Sequence, residues 1–222
     1  MRTIAVMPVK SFARAKKRLA DAVGGVDRRE LAEAMVGDVL ATLATVPLVA
    51  EVIVVTAEPV AVRAAGQVGA AVVRDPDETG QSQAAARGIA AAVERGAGRV
   101  LLVPGDCPAL DAGELGALLG EEDAERLVVV VPDRHGSGTN ALLLSPPDAM
   151  APSFGPGSLA RHAALGRAAG AQVRIRELAS LGLDVDTPGD LATLRTALAE
   201  LPPAAAPRTR AVLDRLVAAP TW

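Results

Sequence analysis

Short runs of aliphatic and β-branched residues alternate along the chain with longer stretches whose apolar positions recur every three or four residues. The short runs predict buried strands, and the longer stretches predict amphipathic helices. The predicted strands are 3–9, 51–56, 70–73, 100–103, 127–131, 139–144, 172–176 and 183–185. The predicted helices are 27–43, 60–68, 82–96, 111–119, 158–169, 188–198 and 209–217. Because parallel strands need crossover connections, this alternation favours an α/β fold with a mostly parallel sheet and helices on both faces.

Two helix starts carry recognisable capping signals. Asp27 followed by Glu30 matches a capping box, which predicts that the first helix begins at Asp27. Thr187, Pro188 and Asp190 fit the N-cap, N1 and N3 positions of a later helix. Both signals place a helix start directly after a turn or a strand end.

The chain offers a single obvious boundary. The proline-rich segment 201–207 predicts a single domain over residues 1–200, followed by a linker and a C-terminal helix in residues 201–222. Residues 172–176 alternate polar and apolar side chains, which is typical of an exposed or edge strand.

Composition argues against several classes of function. The chain has 222 residues, half of them apolar, and a net charge of −3, so it can bury a sizeable core but lacks the basic face of a nucleic-acid binder. Its aromatic residues, Phe12, Phe154 and Trp222, are too few for recognition by base stacking. No apolar run approaches the ~20 residues that span a bilayer. Cys107 is the single cysteine, which excludes an intrachain disulfide framework and predicts a cytoplasmic protein.

The clearest candidate for chemistry is Asp106. The apolar run 100–103 ends in Pro104 and Gly105, and Asp106 follows directly. Ligands of open α/β sheets bind outside the carboxyl ends of the strands, so this carboxylate is expected to face a binding crevice. Mg²⁺ is usually held by one or two carboxylates together with substrate phosphates. The position therefore predicts a cation site that needs a second acid and an anion-binding group nearby.

The loop after the first predicted strand supplies cations. Between Lys10 and Arg18 it has five cations in nine residues, which are Lys10, Arg14, Lys16, Lys17 and Arg18. A triphosphate carries about four negative charges and needs such groups. A solvated basic turn is the alternative interpretation, but the loop's place on the same sheet edge as Asp106 favours phosphate binding.

Asp184 and Asp186 are candidates for the second acid. They alternate with Leu183 and Val185, so on a strand both carboxylates would project to one face. Two like charges so close cost free energy unless a cation offsets them. A pair of solvated acids at a strand end is the alternative interpretation.

Taken together, five motifs make a resemblance specific. PVKSFARAKKRL, VPGDCPAL, DRHGSGTNALLLSPP, FGPGS and LDVDTPGDL, in this order and spacing, resemble the 2-phospholactate guanylyltransferase family, which includes the phosphoenolpyruvate guanylyltransferases. The resemblance covers the chain to about residue 200. It implies a nucleotide-diphospho-sugar-transferase-like, Rossmann-like nucleotidyltransferase fold and a role in biosynthesis of coenzyme F-420. It also implies GTP as the nucleotide donor and Mg²⁺ as the cofactor.

The resemblance also implies roles for individual residues. Asp106 and Asp186 would be metal ligands with Asp184 as support, and the triphosphate would be held by Lys10, Lys16 and Arg18. The phosphorylated three-carbon acid would be bound by Thr139, Gly155 and Ser158. Ser82 and Gln83 would lie near guanine. Unlike the usual phosphate loop of related enzymes, the stretch from Pro8 to Leu19 contains no glycine, so side-chain cations must replace backbone contacts.

A role for Ser158 in phosphate binding also follows from its position, independently of the resemblance. It is placed where a helix begins, and helix N-termini bind phosphate through unpaired N–H groups and the helix dipole. A plain N-cap is the alternative role. His135 and His162 have no acid or cysteine at a motif spacing, and they are interpreted as surface-loop or helix-face residues. Cys107 is expected to be buried and not to act as a nucleophile.

The expected reaction joins GMP from GTP to phosphoenolpyruvate with release of pyrophosphate. A composition rich in alanine and arginine is typical of a GC-rich, actinobacterial genome, for which the resemblance implies phosphoenolpyruvate as acceptor. Alternatives left open are 2-phospholactate or 3-phosphoglycerate as acceptor, a related cytidylyl or sugar-phosphate nucleotidyltransferase, and a non-catalytic nucleotide-binding protein. Whether the chain acts as a homodimer is also left open.

Overall fold

The computed structural model describes residues 1–12, 19, 24–121 and 124–218. Within these residues seven strands form one sheet: β1 (Thr3–Val9), β2 (Glu51–Thr56), β3 (Ala71–Arg74), β4 (Arg99–Leu102), β5 (Leu127–Pro132), β6 (Thr139–Ser145) and β7 (Gln172–Ile175). The helices described are α1 (Gly25–Leu43), α2 (Pro59–Gln67), α3 (Gln81–Glu94), α4 (Ala112–Leu119), α5 (Ser158–Ala168), α6 (Ala179–Gly182), α7 (Pro188–Glu200) and α8 (Pro207–Ala218).

The sheet is mostly parallel, as the sequence predicts, with one reversed strand. Its order is β3-β2-β1-β4-β6-β5-β7, and β6 runs antiparallel to both of its neighbours. The loop 133–138 between β5 and β6 is too short for a parallel crossover, so these strands form a hairpin. The ends of β1, β2, β3, β4 and β5 and the beginning of β6 therefore meet at one edge, which we term the C-terminal edge.

Helices cover both faces of the sheet. On one face α1, α2 and α4 pack against side chains such as Met7 of β1. On the other face α3 and α5 pack against alternate residues such as Val6. The approach of α3 is close: a Cβ at Gly88 would lie 2.2 Å from the Val6 Cγ1 atom. Gly88 therefore lets α3 pack tightly against the sheet at β1 and β2.

The C-terminal helix packs onto the same body as the sheet. Buried Val212 and Leu213 of α8 lie in one apolar cluster with residues of α1 and α7. The side chain of Asp38 in α1 accepts hydrogen bonds from the N–H groups of Arg208 (3.2 Å) and Thr209 (2.8 Å). A carboxylate from α1 thus satisfies the first turn of α8.

The structure corrects two local predictions and confirms two others. Helix α1 begins at Gly25 with Gly24 as its N-cap, so the capping box predicted for Asp27 is wrong; Asp27 lies in the first turn, where its charge suits the helix dipole. Residues 183–185 form no strand, because this segment crosses to the loop after β4 instead of lying along a neighbouring strand. The capping box at Thr187 and the edge position of β7 are confirmed. Among the described helices, none is both long and apolar enough to cross a membrane.

Candidate active site

A cleft of about 330 Å³ opens at the C-terminal edge, where β1 and β4 end side by side. From β1 the chain proceeds to β2 and β3 on one side and reaches β4 on the other, so this is the point where the strand order reverses. Residues of the loops after β1, β3 and β4 line the cleft, among them Lys10, Asp75 and Asp106. A cleft at such a switch point is the usual ligand site of an open α/β sheet.

Three carboxylates meet at this cleft. Asp106 and Asp186 line it, and the half-buried Asp184 lies close enough to feel the charge of both. Burial and the charge of Asp106 raise the pKa of Asp184, against the hydrogen bond that the Asn140 side chain donates to it (3.2 Å). The N–H of Val185 also donates to the backbone carbonyl of Asp106 (3.3 Å). The structure thus brings together the three acids that the sequence singled out, although 183–185 is not a strand.

A cap and an ion pair hold the segment that carries Asp186. The Asp190 carboxylate accepts hydrogen bonds from the N–H groups of Asp186 (2.9 Å) and Thr187. The guanidinium of Arg134 pairs with the other carboxylate oxygen of Asp190, and its backbone N–H donates to Gly182 (2.9 Å). Arg134 was not singled out by sequence reasoning. Its place in the DRHGSG motif was the available signal, since a charged residue in a loop at a strand end is well placed for a site.

Thr139 lies beside a buried histidine. Its Oγ1 is 3.0 Å from Nδ1 of His162, which is fully buried. The backbone N–H of Ser153 donates to Nε2 of the same ring (2.8 Å). Because Nε2 accepts, a neutral ring carries its proton on Nδ1 and donates it to Thr139, which leaves the threonine hydroxyl proton available to a ligand. Burial, and the nearby charge of Arg161, lower the pKa of His162 to about 4, consistent with a neutral ring.

The positions of both histidines agree with the sequence, but the burial of His162 was not predicted. His135 is exposed in the loop between β5 and β6, and His162 lies in helix α5 with its side chain fully buried. The ring of Phe154 packs edge-on against that of His162, with centroids 5.0 Å apart. A lone histidine in a helix gives no sequence signal for a buried contact of this kind, because its partner Thr139 lies 23 residues away in β6.

The FGPGS motif forms a tight turn before α5, which we term the 153–158 loop. Gly155 and Gly157 have φ values of 113° and 70°, which favour glycine, and the Ser158 N–H donates to Gly155 (3.0 Å). The Arg161 side chain donates hydrogen bonds to the carbonyls of three loop residues and to one hydroxyl. Arg161 was missed from the sequence because one charged residue in an amphipathic helix is usually a solvated side chain.

Of the other predicted site residues, some line the cleft, some lie away from it, and some are outside the described residues. Lys10 lines the cleft, whereas Lys16 and Arg18 lie outside the described residues. The Ser82 hydroxyl accepts from the Phe154 N–H (2.9 Å), which joins the start of α3 to the 153–158 loop. Gln83 is exposed and is not part of the cleft wall, whereas Gln81 is. Cys107 is buried, as predicted, with its thiol 3.5 Å from the carbonyl of Leu181.

The acids do not complete a metal cage by themselves. Within the described ranges, no three His, Cys, Asp or Glu side chains are arranged to hold a metal ion. Two carboxylates with substrate phosphate oxygens are, however, a sufficient set for Mg²⁺. Asp106 and Asp186 could therefore hold a divalent ion together with an anionic ligand.

Comparison with known proteins agrees with this geometry. Residues 3–196 match the model of a guanylyl transferase CofC-like family. The phosphoenolpyruvate guanylyltransferase of Conexibacter woesei is 51% identical over 218 residues, which are 98% of this chain and 97% of that protein. The enzyme of the same name from Streptomyces coelicolor is 40% identical over 96% of this chain and 97% of its own length.

Solved structures share the fold at low sequence identity. A protein described as a nucleotide-diphospho-sugar transferase, from Desulfovibrio desulfuricans G20, superimposes with a TM-score of 0.76 at 18% identity and covers 98% of this chain and 96% of its own. A nucleotidyl transferase from Methanothermobacter superimposes with a TM-score of 0.63 at 21% identity over 90% of this chain and 98% of its own. The family match and the relatives of similar length establish that this chain belongs to the CofC-like guanylyl transferase family.

Proposed function

We propose that this chain transfers the GMP unit of GTP to phosphoenolpyruvate and releases pyrophosphate, as a step of coenzyme F-420 biosynthesis. Membership of the guanylyl transferase family and the names of its relatives support this assignment. The observation that carries it in this chain is that Asp106 and Asp186 line the same cleft as Lys10, while Asp184 beside them accepts a hydrogen bond from Asn140, the neighbour of Thr139. Carboxylates between two anion-handling regions suit a reaction that joins two phosphorylated substrates.

The repulsion between the carboxylates of the cleft favours the binding of a divalent cation. The charge of Asp106 contributes to the raised pKa of Asp184, and such mutual repulsion is relieved by a cation. We expect Asp106 and Asp186 to hold Mg²⁺ together with substrate phosphate oxygens, and Asp184 to support them. When bound, Mg²⁺ would neutralise charge that develops on the transferred phosphate.

The chemistry needs little proton transfer. A phosphate oxygen of phosphoenolpyruvate attacks the α-phosphorus of GTP, an O–P bond forms, and the bond to the bridging oxygen of pyrophosphate breaks. A phosphomonoester has a second pKa of about 6, so the attacking group is already largely dianionic at neutral pH. The chain's contribution is alignment: Lys10 faces the nucleotide, and Thr139, Gly155 and Ser158 face the acceptor acid.

Pyrophosphate release and product mass test the proposal. The purified chain is incubated with Mg²⁺ and GTP, and with phosphoenolpyruvate, 2-phospholactate or 3-phosphoglycerate in parallel. We expect pyrophosphate and a guanosine diphosphate ester of enolpyruvate, with phosphoenolpyruvate giving the highest kcat/KM. A product formed faster from either other acid would reassign the acceptor. No pyrophosphate with any of the three would overturn the proposed activity.

A further inference from the structure

Asp75 is a buried carboxylate in the wall of the cleft that the reaction described above does not use. It follows β3 directly, is only 5% exposed, and lines the cleft together with Val55, Gly80 and Ala84. Its backbone N–H donates to the carbonyl of Thr56 at the end of β2 (3.3 Å), which fixes its position at the C-terminal edge. The side chain is therefore presented to the cleft by two adjacent strands.

One carboxylate oxygen of Asp75, Oδ1, has a cation nearby but no hydrogen bond within the described part of the chain. This oxygen is buried. The Nε atom of Arg87 lies 3.5 Å from this oxygen without bonding to it, and a terminal nitrogen of Arg87 donates to Asp77 at 3.1 Å. A buried carboxylate without donors is costly to retain. A ligand that brings N–H donors into the cleft would remove this cost.

The same wall of the cleft also contains hydrogen-bond donors, which are the backbone N–H groups at the start of α3. Helix α3 begins at Gln81, and its N-cap residue, Gly80, has no side chain to bond the first turn. The first N–H groups of a helix have no partner within it. Gly80 and Gln81 both line the cleft, and Val55 and Ala84 add apolar surface beside them. An acceptor, uncapped backbone donors and an apolar surface thus lie in one wall.

We propose that Asp75 recognises the guanine base of the nucleotide. Guanine presents a ring N–H and an exocyclic amino group side by side, and a carboxylate accepts from both. Its carbonyl oxygen would accept from the first turn of α3. Adenine has no ring N–H there, so its unprotonated ring nitrogen would oppose the carboxylate. This inference rests on the proposed function, because it takes GTP as the donor, and it places base recognition on Asp75 and not on Gln83.

Equilibrium binding of GTP and ITP, without an acceptor acid, tests the role directly. ITP keeps the ring N–H of guanine but lacks its exocyclic amino group. A hydrogen bond to a charged group is typically worth about a tenfold difference in binding or more, so wild-type protein should prefer GTP over ITP about tenfold. In Asp75→Asn, GTP affinity should fall about 10–100-fold and the preference over ITP should drop to about one.

Asp77→Asn is the matched control. The substitution removes the same charge two residues away. Asp77 pairs with the same Arg87, but its side chain is 62% exposed and does not line the cleft. Its GTP/ITP preference should equal that of wild type. An unchanged preference for GTP over ITP in Asp75→Asn would overturn the proposal. Equal binding of GTP and ITP by the wild-type protein would also overturn it, and that measurement does not depend on whether a variant folds.

The outcome also separates this inference from the proposed function. A wild-type protein that discriminates GTP from ITP through Asp75 but releases no pyrophosphate with any acceptor acid would refute the activity and retain the base-recognition role. A protein that releases pyrophosphate from GTP and ITP with equal kcat/KM would retain the activity and refute the role of Asp75.

Discussion

The cleft and the 153–158 loop are stabilised in opposite ways. The loop is bound within the chain: Arg161 holds its carbonyls, and both ring nitrogens of His162 are engaged. The cleft instead concentrates carboxylates, with the pKa of Asp184 raised by burial and the charge of Asp106, and with Asp75 lacking a donor among the described residues. The loop is assembled before any ligand arrives, whereas the cleft gathers charges that a ligand or cation would offset.

This difference predicts different costs of substitution. A change in the 153–158 loop removes interactions that the folded chain already makes, so it should lower both stability and acceptor binding. A change among the cleft acids removes one of several charges that repel each other, so it should impair the reaction with little loss of stability. The four experiments below test this contrast in order of expected effect.

Asp106→Asn should have the largest effect. If Asp106 holds Mg²⁺ as proposed, its loss removes the cation that would stabilise charge developing on the transferred phosphate, and Mg²⁺-dependent pyrophosphate release from GTP and phosphoenolpyruvate should fall at least about 100-fold. The free energy of unfolding, measured with urea, should not decrease. Asp148→Asn is the control, because Asp148 is an exposed acid whose side chain is 80% accessible. An unchanged rate in Asp106→Asn would refute its role as a metal ligand.

Arg161→Ala should come next and should affect both properties. Its five hydrogen bonds, at 2.9–3.2 Å, hold the loop that presents Gly155 and Ser158. Their loss should raise the KM for phosphoenolpyruvate about 10–100-fold, with a smaller change in the KM for GTP, and lower the free energy of unfolding by ~1–3 kcal/mol. Arg167→Ala, on the exposed side of the same helix, should change neither. An equal rise in the KM for GTP and for phosphoenolpyruvate would mean that the loop does not act specifically on the acceptor.

The same contrast explains which features the sequence could predict. The strands, the mostly parallel sheet and Asp106 follow from local patterns, because a run of apolar residues and the acid that ends it are adjacent in the chain. The strand predicted at 183–185 shows the limit of such patterns. Leu183 and Val185 are buried and alternate with acids as in a strand, but they pack against helices α1 and α7 and not within the sheet.

Partners that are distant in the chain account for the rest. His162 contacts Thr139 across 23 residues, and Arg134 reaches Asp190 across 56. No periodicity in the sequence indicates such pairs, since each depends on how β6, α5 and α7 are placed by the sheet. Asp75 was overlooked for the related reason that DPDETG is a turn-rich segment, in which acids are common without any ligand.

His162 should make stability depend on pH. Burial and the charge of Arg161 lower its pKa to about 4 in the folded chain, whereas an unfolded histidine has a pKa near 6.5. Between these values only the unfolded chain binds the proton. Stability should therefore be fully present above about pH 6.5 and fall as the pH drops towards 4, by up to about 1.4 kcal/mol per pH unit.

Urea unfolding at pH 6.5 and 5.5 measures this slope. His162→Gln should flatten it, because glutamine does not titrate, while His135→Gln, at an exposed loop position, should leave it unchanged. A slope that persists in His162→Gln would show that another group is responsible. It would also remove the support that a neutral ring gives to the proton assignment at Thr139.

Thr187→Ala should have the smallest effect and tests whether the cleft needs a preassembled support at all. The Thr187 hydroxyl accepts from the Asp190 N–H (3.2 Å), so its loss should lower the free energy of unfolding by about 1 kcal/mol. Asp190 would still accept from the Asp186 N–H, so kcat should fall less than tenfold. Thr193→Ala is the control, since its hydroxyl is exposed and donates to the Gly189 carbonyl within the same helix. A loss of activity as large as that of Asp106→Asn would mean that the cleft depends on support within the chain as strongly as the 153–158 loop does, which would end the contrast between the two regions.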